Sequence, residues 1–132
     1  MSPRSIHLPG VSHKAPIPSA AVAGNLLYSS GISGKDPETG EQPPDAAAQV
    51  RNAFGVMKAL VETAGGTVSD IVRVTVFLRD RADRAYVDEE WVSMFPDPDA
   101  RPARHALALE REGKSLVQLE MIAVLGAGGA EA

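Results

Sequence analysis

The feature that most constrains the fold is a run of β-branched and apolar residues, Ile71–Leu78, with helical periodicity on both sides of it. Such a run predicts a buried strand. Upstream, apolar residues recur at steps of three and four between positions 50 and 64, which predicts one face of an amphipathic helix. Downstream, Val87 and Trp91 begin a second helical stripe that ends before Pro96. A strand between two helices favours a sheet with helices packed against it.

Turn and capping residues give the helix boundaries. Asp45 can cap the first helix, and Gly65-Gly66 ends it. Asp80 can cap the second helix, which is predicted to run through Phe95. The apolar stripe of the first helix consists of Val50, Phe54, Met57, Val61 and Ala64.

Further strands complete the predicted sheet. Residues 26–30 follow a turn at Gly24 and predict one strand. Residues 103–110 and 116–125 predict two more, with a turn around 112–114 between them. The order is β-β-α-β-α-β-β, and the Pro- and Ser-rich N-terminal arm can add at most one short edge strand. This order predicts an α+β fold, a two-layer sandwich with two helices on one mostly antiparallel sheet.

The helices can cover only one face of this sheet. Alternation along the central strand is expected to place Val72, Val74 and Val76 on one face and Ile71, Thr75 and Phe77 on the other. Both faces therefore carry apolar side chains. Since an uncovered, partly apolar sheet face is typical of an interface, the sequence predicts a homo-oligomer.

Composition restricts the class of protein and its partners. The chain has 132 residues, of which 44% are hydrophobic and 23% charged, and its net charge is −4. These values are typical of a globular domain, and the scattered basic residues argue against a nucleic-acid partner. The chain contains no cysteine, which excludes disulfides and thiolate metal sites.

Domain organisation and location follow from the same composition. One domain is expected over residues 1–125, with an irregular arm at about 1–16 and a flexible tail at 126–132. No apolar run is long enough to span a bilayer, and residues 1–4 show no signal-peptide pattern. We therefore expect no membrane partner and a cytoplasmic location.

Two charged residues in the C-terminal strands are the candidate site. Arg104 and Glu120 each lie in an apolar run, where a charge is rarely kept unless it is paired or used. Ala106 and Ala108 share the face of Arg104, which would leave room around its guanidinium. An arginine fork can bind a carboxylate, and a glutamate can handle protons. The simpler interpretation is a structural ion pair between the two residues.

Other patterns indicate structural roles. His105 is expected to point away from Arg104. His7 and His13 have no nearby carboxylate at metal-ligand spacing, so no metal site is predicted. Residues 29–31 offer hydroxyls and a backbone N–H at a strand end, a pattern that alone indicates only a turn.

Six segments, taken together, carry a family resemblance. They are 24–31 (GNLLYSSG), 36–41 (DPETGE), 48–53 (AQVRNA), 73–80 (RVTVFLRD), 102–104 (PAR) and 118–124 (QLEMIAV). Over roughly residues 16–125 the chain resembles the RidA/YjgF family of reactive-intermediate deaminases, often labelled endoribonuclease L-PSP. The resemblance implies a chorismate-mutase-like fold and a homotrimer whose sheets surround a central barrel. It also implies sites in the clefts between subunits, with no metal or organic cofactor.

The resemblance assigns roles to four residues. Arg104 matches the arginine that grips a substrate carboxylate, and Glu120 matches the glutamate that orients water or handles protons. Ser30 and Gly31 match the loop segment that lines the cleft. The resemblance thus implies that Arg104 and Glu120 are catalytic and that Ser30 and Gly31 bind substrate.

Two further residues expected to bind substrate, Ser19 and Asp88, depart from the family. Ser19 lies where many deaminases carry a tyrosine, and Asp88 stands where an asparagine is common, so the substrate preference is left open. The implied activity is hydrolysis of 2-imino and 2-enamino acids, such as 2-iminopropanoate and 2-aminoacrylate, to 2-keto acids and ammonia. Two alternatives remain: a non-catalytic trimer that binds small carboxylates or acts as a chaperone, and a ribonuclease, which the acidic charge disfavours.

Overall fold

The computed structural model describes residues 2–11, 13–110 and 113–126. Within these residues the chain forms two α-helices and one seven-stranded sheet. The elements are β1 (Arg4–Ile6), β2 (Ala20–Ala23), β3 (Leu26–Ser29), β4 (Ile32–Ser33), α1 (Ala46–Thr63), β5 (Ile71–Leu78), α2 (Arg84–Met94), β6 (Ala103–Ala108) and β7 (Val117–Val124). The prediction of two helices on one sheet is confirmed, and the short strand β4 is an addition to the predicted order.

The sheet is mixed and open. Its strand order is β1-β2-β3-β7-β5-β6, and β4 also pairs with β7. The strands β5 and β6 run parallel, and the other described pairs are antiparallel. Parallel neighbours need a crossover connection, which α2 supplies between β5 and β6. The order places β1 and β6 at the two edges of the sheet.

The first helix forms as its sequence predicts. The Asp45 carboxylate accepts a hydrogen bond from the Ala48 backbone N–H at 3.1 Å, which caps the N-terminus. After α1, Gly65 has a φ of 97°, a left-handed conformation that glycine adopts without strain. The predicted stripe is buried, with relative exposures of 0–8%, at Val50, Phe54, Met57, Val61 and Ala64.

The second helix begins later than predicted. Asp80 caps through its carboxylate, which accepts from the Ala82 N–H at 2.9 Å. The Asp83 N–H then donates to the Asp80 carbonyl, three residues back, so the first turn is a 3₁₀ turn over Arg81–Asp83. Regular α-helix follows at α2, and Phe95 is its C-cap.

The two faces of the sheet differ as expected, except at the start of β5. Ile71 is expected on the face opposite Val74 but is buried in the core with it, at 4% exposure. Val74 and Val76 of β5 pack against the helices and are at most 1% exposed. Val72 does not share their face, because a bulge between Ile71 and Arg73 leaves it out of register with β7. It is 41% exposed. A bulge arises from pairing with a distant strand, and local alternation does not reveal it.

Two of the predicted segments include residues that the structure does not describe, and a third prediction concerns membrane spans. The predicted turn around 112–114 includes residue 112, which lies outside the described residues, as does the predicted tail from residue 127 onward. The part of the chain that the structure describes has no helix both long and apolar enough to cross a membrane.

Candidate functional site

Arg104 lies on β6 and is held by side chains of α2. Its Nη2 donates to Oδ1 of Asp88 at 2.7 Å, and its guanidinium carbon lies 5.0 Å from the centre of the Trp91 ring. The side chain is 21% exposed. A guanidinium has five N–H donors in a fixed fork, so an ion pair with one carboxylate oxygen leaves donors for a second carboxylate. Arg104 is therefore positioned on an aromatic support while still reaching solvent.

The helix supplies this support through the spacing of its residues. Asp88 and Trp91 are three positions apart on α2 and thus share a helix face. Trp91 is 8% exposed and packs edge-on against Phe95, with ring centroids 4.9 Å apart. Across the sheet, Arg104 is in register with Val74, whose side chain lies in the core. The backbone of β6 and a buried ring therefore both restrict the guanidinium.

Glu120 lies on the opposite face of the sheet from Arg104. Arg104 and Met121 are both in register with Val74, whereas Glu120 is in register with Thr75, the next residue along β5. Successive residues of a strand point to opposite faces. The interpretation that Arg104 and Glu120 form a structural ion pair is therefore wrong within one chain. Among the described residues Arg104 pairs with Asp88 instead.

The open face around Glu120 forms a small polar depression. Glu120, Tyr28 and Thr75 line a cavity of about 150 Å³, and its other lining residues are Ser29, Arg73, Met121 and Ile122. Tyr28 is 54% exposed. His105 is also in register with Thr75, so it points to this face and away from Arg104, as predicted.

Gln118 is the residue that sequence reasoning missed. It shares the open face with Glu120, two residues later on β7. A Cβ built on Gly31 would lie 2.9 Å from Nε2 of Gln118, so the two residues are in close contact. The alternation of β7 revealed the shared face, but no local signal indicated which of its residues meets the Gly31 loop.

Ser19 and Ser30 lie next to each other and bind the N-terminal arm. The Ser30 N–H donates to the Ser19 carbonyl at 2.9 Å, and the Ser30 hydroxyl donates to the Pro18 carbonyl at 2.8 Å. The Ser19 hydroxyl accepts from the Leu8 N–H at 3.3 Å, and Ser19 is 7% exposed. Both hydroxyls thus help to fix the backbone beside Gly31.

The predicted site residues fall into two groups within one chain. Arg104 and Asp88 lie at the β6 edge on the helix-covered face, whereas Ser30 and Gly31 follow β3. The strands β7 and β5 separate β3 from β6, which corresponds to roughly 14 Å at the usual strand spacing of about 4.8 Å. A small imino acid cannot bridge that distance. One chain alone therefore does not assemble the predicted site.

Comparison with known proteins identifies the family. The fold and the aromatic-supported arginine define a small α+β protein with a candidate carboxylate site. A family model described as Endoribonuclease L-PSP matches residues 13–125. The chain belongs to this family, and the resemblance to RidA/YjgF proteins is confirmed.

Sequence and structural relatives agree. The chain is 41% identical over 103 residues to the 2-iminobutanoate/2-iminopropanoate deaminase of Escherichia coli K12, covering 76% of this chain and 80% of that protein. The crystal structure of RidA from an Antarctic Psychrobacter species matches with a TM-score of 0.84 and 32% identity, covering 92% and 99% of the two chains. Escherichia coli TdcF, solved with bound serine, matches with a TM-score of 0.83 and 30% identity, covering 92% and 98%.

Proposed function

We propose that this protein is a deaminase that hydrolyses 2-imino and 2-enamino acids to 2-keto acids and ammonia. The observation that carries the proposal is Arg104, which lies on Trp91 with guanidinium donors left for a substrate carboxylate. The 41% identity to a 2-iminobutanoate/2-iminopropanoate deaminase supports the same activity.

Arg104 would bind the substrate carboxylate through two charge-assisted hydrogen bonds. Such pairs are shorter and about twice as strong as neutral hydrogen bonds. The imine carbon is already electrophilic and reacts with water unaided, so the main contribution of the protein is to hold it beside a water molecule. No metal or organic cofactor is needed for this addition.

The polar residues of β7 would act on the water and the nitrogen. Glu120 would accept a proton from the attacking water and deliver it to the imine nitrogen, which gives the carbinolamine. It would then move the hydroxyl proton of the carbinolamine to the amine nitrogen, so that the C–N bond breaks, ammonia leaves and the keto group forms. Gln118, which contacts Gly31, would orient water or the imine through its amide. Proton handling of this kind typically gives about 10²–10⁴-fold acceleration.

We infer that the site is completed by a second copy of the chain. Arg104 and the β7 residues lie on opposite faces in one chain, so a neighbouring copy must bring its own Glu120 and Gln118 to Arg104. The proposed assembly is a chorismate-mutase-like homotrimer whose open sheet faces surround a central barrel. Exposed apolar side chains at Tyr28 and Val72 favour burial in such an assembly. The proposed location is the cytoplasm.

The activity can be tested directly on the purified protein. We expect it to accelerate keto-acid release when 2-aminoacrylate or 2-iminobutanoate is generated in situ by a dehydratase acting on serine or threonine. A keto-acid assay would measure the imine that has been hydrolysed, and trapping with semicarbazide would measure the imine that remains. Rates equal to those without the protein would contradict the proposed activity.

The two alternative functions predict different results. A ribonuclease would bind RNA in a strongly salt-dependent way, since phosphate contacts release counterions. The net charge of −4 makes such binding unfavourable. A ligand-binding trimer would bind 2-ketobutyrate without accelerating imine hydrolysis.

Variants of the two β7 residues separate proton transfer from orientation. We expect Glu120→Gln to lower kcat about 100-fold, because an amide cannot exchange protons. Gln118→Ala is expected to lower kcat only about fivefold, the value of one lost hydrogen bond. Steady-state kinetics on the same imine would rank the variants. A larger loss in Gln118→Ala would reassign the central role to Gln118.

Asp88 competes with the substrate carboxylate for Arg104. We expect Asp88→Asn to lower KM about two- to fivefold with little change in kcat, because an exposed ion pair of this kind is worth up to roughly 1 kcal/mol. Glu89→Gln, an exposed neighbour on α2, is the control. A higher KM in Asp88→Asn would show that Asp88 contacts the substrate rather than competing with it.

A further inference from the structure

An open groove runs along β6 next to Arg104. Ala106 and Ala108 follow Arg104 on the same face, and the groove they line has a volume of about 450 Å³. Its other lining residues are Leu78, Leu107, Arg81 and Arg84. Arg104 itself does not line this groove, so the expectation that small alanines leave room beside the guanidinium stays a prediction.

The groove begins beside the proposed carboxylate site. Ala106 is two residues from Arg104, or roughly 7 Å along the strand. On the facing helix, Arg84 precedes Asp88 by four positions, so the two lie one turn apart on the same side of α2. Because Asp88 pairs with Arg104, the backbone of Arg84 lies one helical turn along α2 from the residue that holds the guanidinium. A ligand held by Arg104 can therefore extend into the groove.

The groove combines an apolar floor with a basic rim. Leu78 and the two alanines supply apolar surface, and Arg81 and Arg84 are both exposed. Among the described residues neither arginine forms an ion pair. Asp80 and Asp83 lie close to the two arginines in the chain, and the Asp80 carboxylate accepts from the Ala82 N–H. The rim can therefore offer cationic donors to an anion.

The size of the groove exceeds the need of a three- or four-carbon substrate. Pockets of about 300–1,000 Å³ typically hold drug-sized ligands, so the groove has room for a longer side chain. Since the floor is apolar and the charge lies at the rim, the best match is an extended methylene chain that ends in an anionic group.

We propose that this groove binds the substrate side chain and that Arg81 and Arg84 select 2-imino acids with an acidic side chain. This inference rests on the proposed imine hydrolysis at Arg104. It names a substrate class with two carboxylates, one at Arg104 and one at the rim of the groove.

The experiment compares two imines of equal carbon number. An amino-acid oxidase acting on glutamate would supply 2-iminoglutarate, and the same class of enzyme acting on norvaline would supply the neutral analogue. We expect the wild-type protein to hydrolyse 2-iminoglutarate with a kcat/KM at least about tenfold higher than the neutral imine. The preference should shrink as salt is raised, because exposed charges are screened.

Variants of Arg81 and Arg84 test whether these two residues cause the preference for the acidic imine. Arg84→Ala and Arg81→Ala are each expected to reduce the ratio of acidic to neutral kcat/KM by about two- to fivefold, and the double variant by about tenfold. Arg81→Lys with Arg84→Lys should restore most of the preference. Arg51→Ala, on the exposed side of α1, should leave the ratio unchanged.

The outcomes separate this inference from the proposed function. Equal kcat/KM for the two imines in the wild type, both above the rate in water, would overturn the acidic-substrate inference alone. A preference that survives in the double alanine variant would overturn the role of the two arginines. No acceleration of either imine would overturn the proposed function and this inference with it.

Discussion

Arg104→Ala is expected to lower kcat/KM for imine hydrolysis about 10²- to 10⁴-fold. Charge-assisted hydrogen bonds to a carboxylate are each worth about 1.5–3 kcal/mol, and alanine removes the whole fork. The loss should be large because the Trp91 ring already supports the guanidinium, so little ordering of Arg104 remains to be done on binding. Steady-state kinetics with 2-iminopropanoate would measure it.

Two further variants define the origin of that loss. Arg104→Lys keeps the charge but not the planar fork, and should retain part of the activity. Arg51→Ala removes an exposed arginine from α1 and should behave as wild type. Wild-type kinetics in Arg104→Ala would contradict the carboxylate-binding role.

The largest expected effect on stability comes from Gln49→Leu. Gln49 is fully buried on α1. Its Oε1 accepts from the Leu116 N–H at 2.8 Å, and its Nε2 donates to the carbonyls of Pro43 at 2.8 Å and Lys114 at 3.0 Å. One amide therefore ties the start of α1 to the segment that leads into β7.

Leucine has a similar size but makes none of these bonds. An unpaired buried polar group costs about 1–3 kcal/mol. The three backbone partners are partly buried, so about 1 kcal/mol each is expected, and Gln49→Leu should destabilise the fold by about 3 kcal/mol. For a chain of 132 residues this corresponds to a Tm lower by roughly 10 °C. Thermal unfolding monitored by circular dichroism would measure the change in Tm. Lys58→Ala, on the exposed face of α1, is the control. A Tm within about 2 °C of wild type would mean that water replaces the amide.

The parts of the fold that local patterns control could be predicted. The three- and four-residue steps of α1 gave its buried face, because a helix buries whichever side its apolar residues share. Capping by Asp45 and the glycine at position 65 likewise act within a few residues. The β-branched run of β5 predicted a strand for the same reason.

The parts that depend on distant pairing could not be predicted. The bulge at Val72 exists only against β7, and the register of β5 with β6 and β7 places Arg104 and Glu120 on opposite faces. The partner of Arg104 is Asp88, sixteen positions away on another element. Local alternation fixes the faces of one strand relative to each other, but not to those of another strand.

The candidate site illustrates the same limit. The family resemblance pointed to Arg104 and Glu120, yet the structure brings Gln118 rather than Glu120 against Gly31. Both residues lie on the same face of one strand, and only the position of the neighbouring loop distinguishes them. Gln49 had no assigned role in the sequence, because its three backbone partners are revealed only by the folded chain.

The central claim is that Arg104 of one copy and the β7 residues of another form a single imine-hydrolysing site. The most direct test refolds two inactive variants together. One variant carries Arg104→Ala, and the other carries both Gln118→Ala and Glu120→Gln. In a cyclic oligomer with sites between copies, about a quarter of the sites in an equal mixture would regain every native residue. We predict recovery of about that fraction of wild-type kcat. A mixture no more active than the two separate variants would contradict the claim.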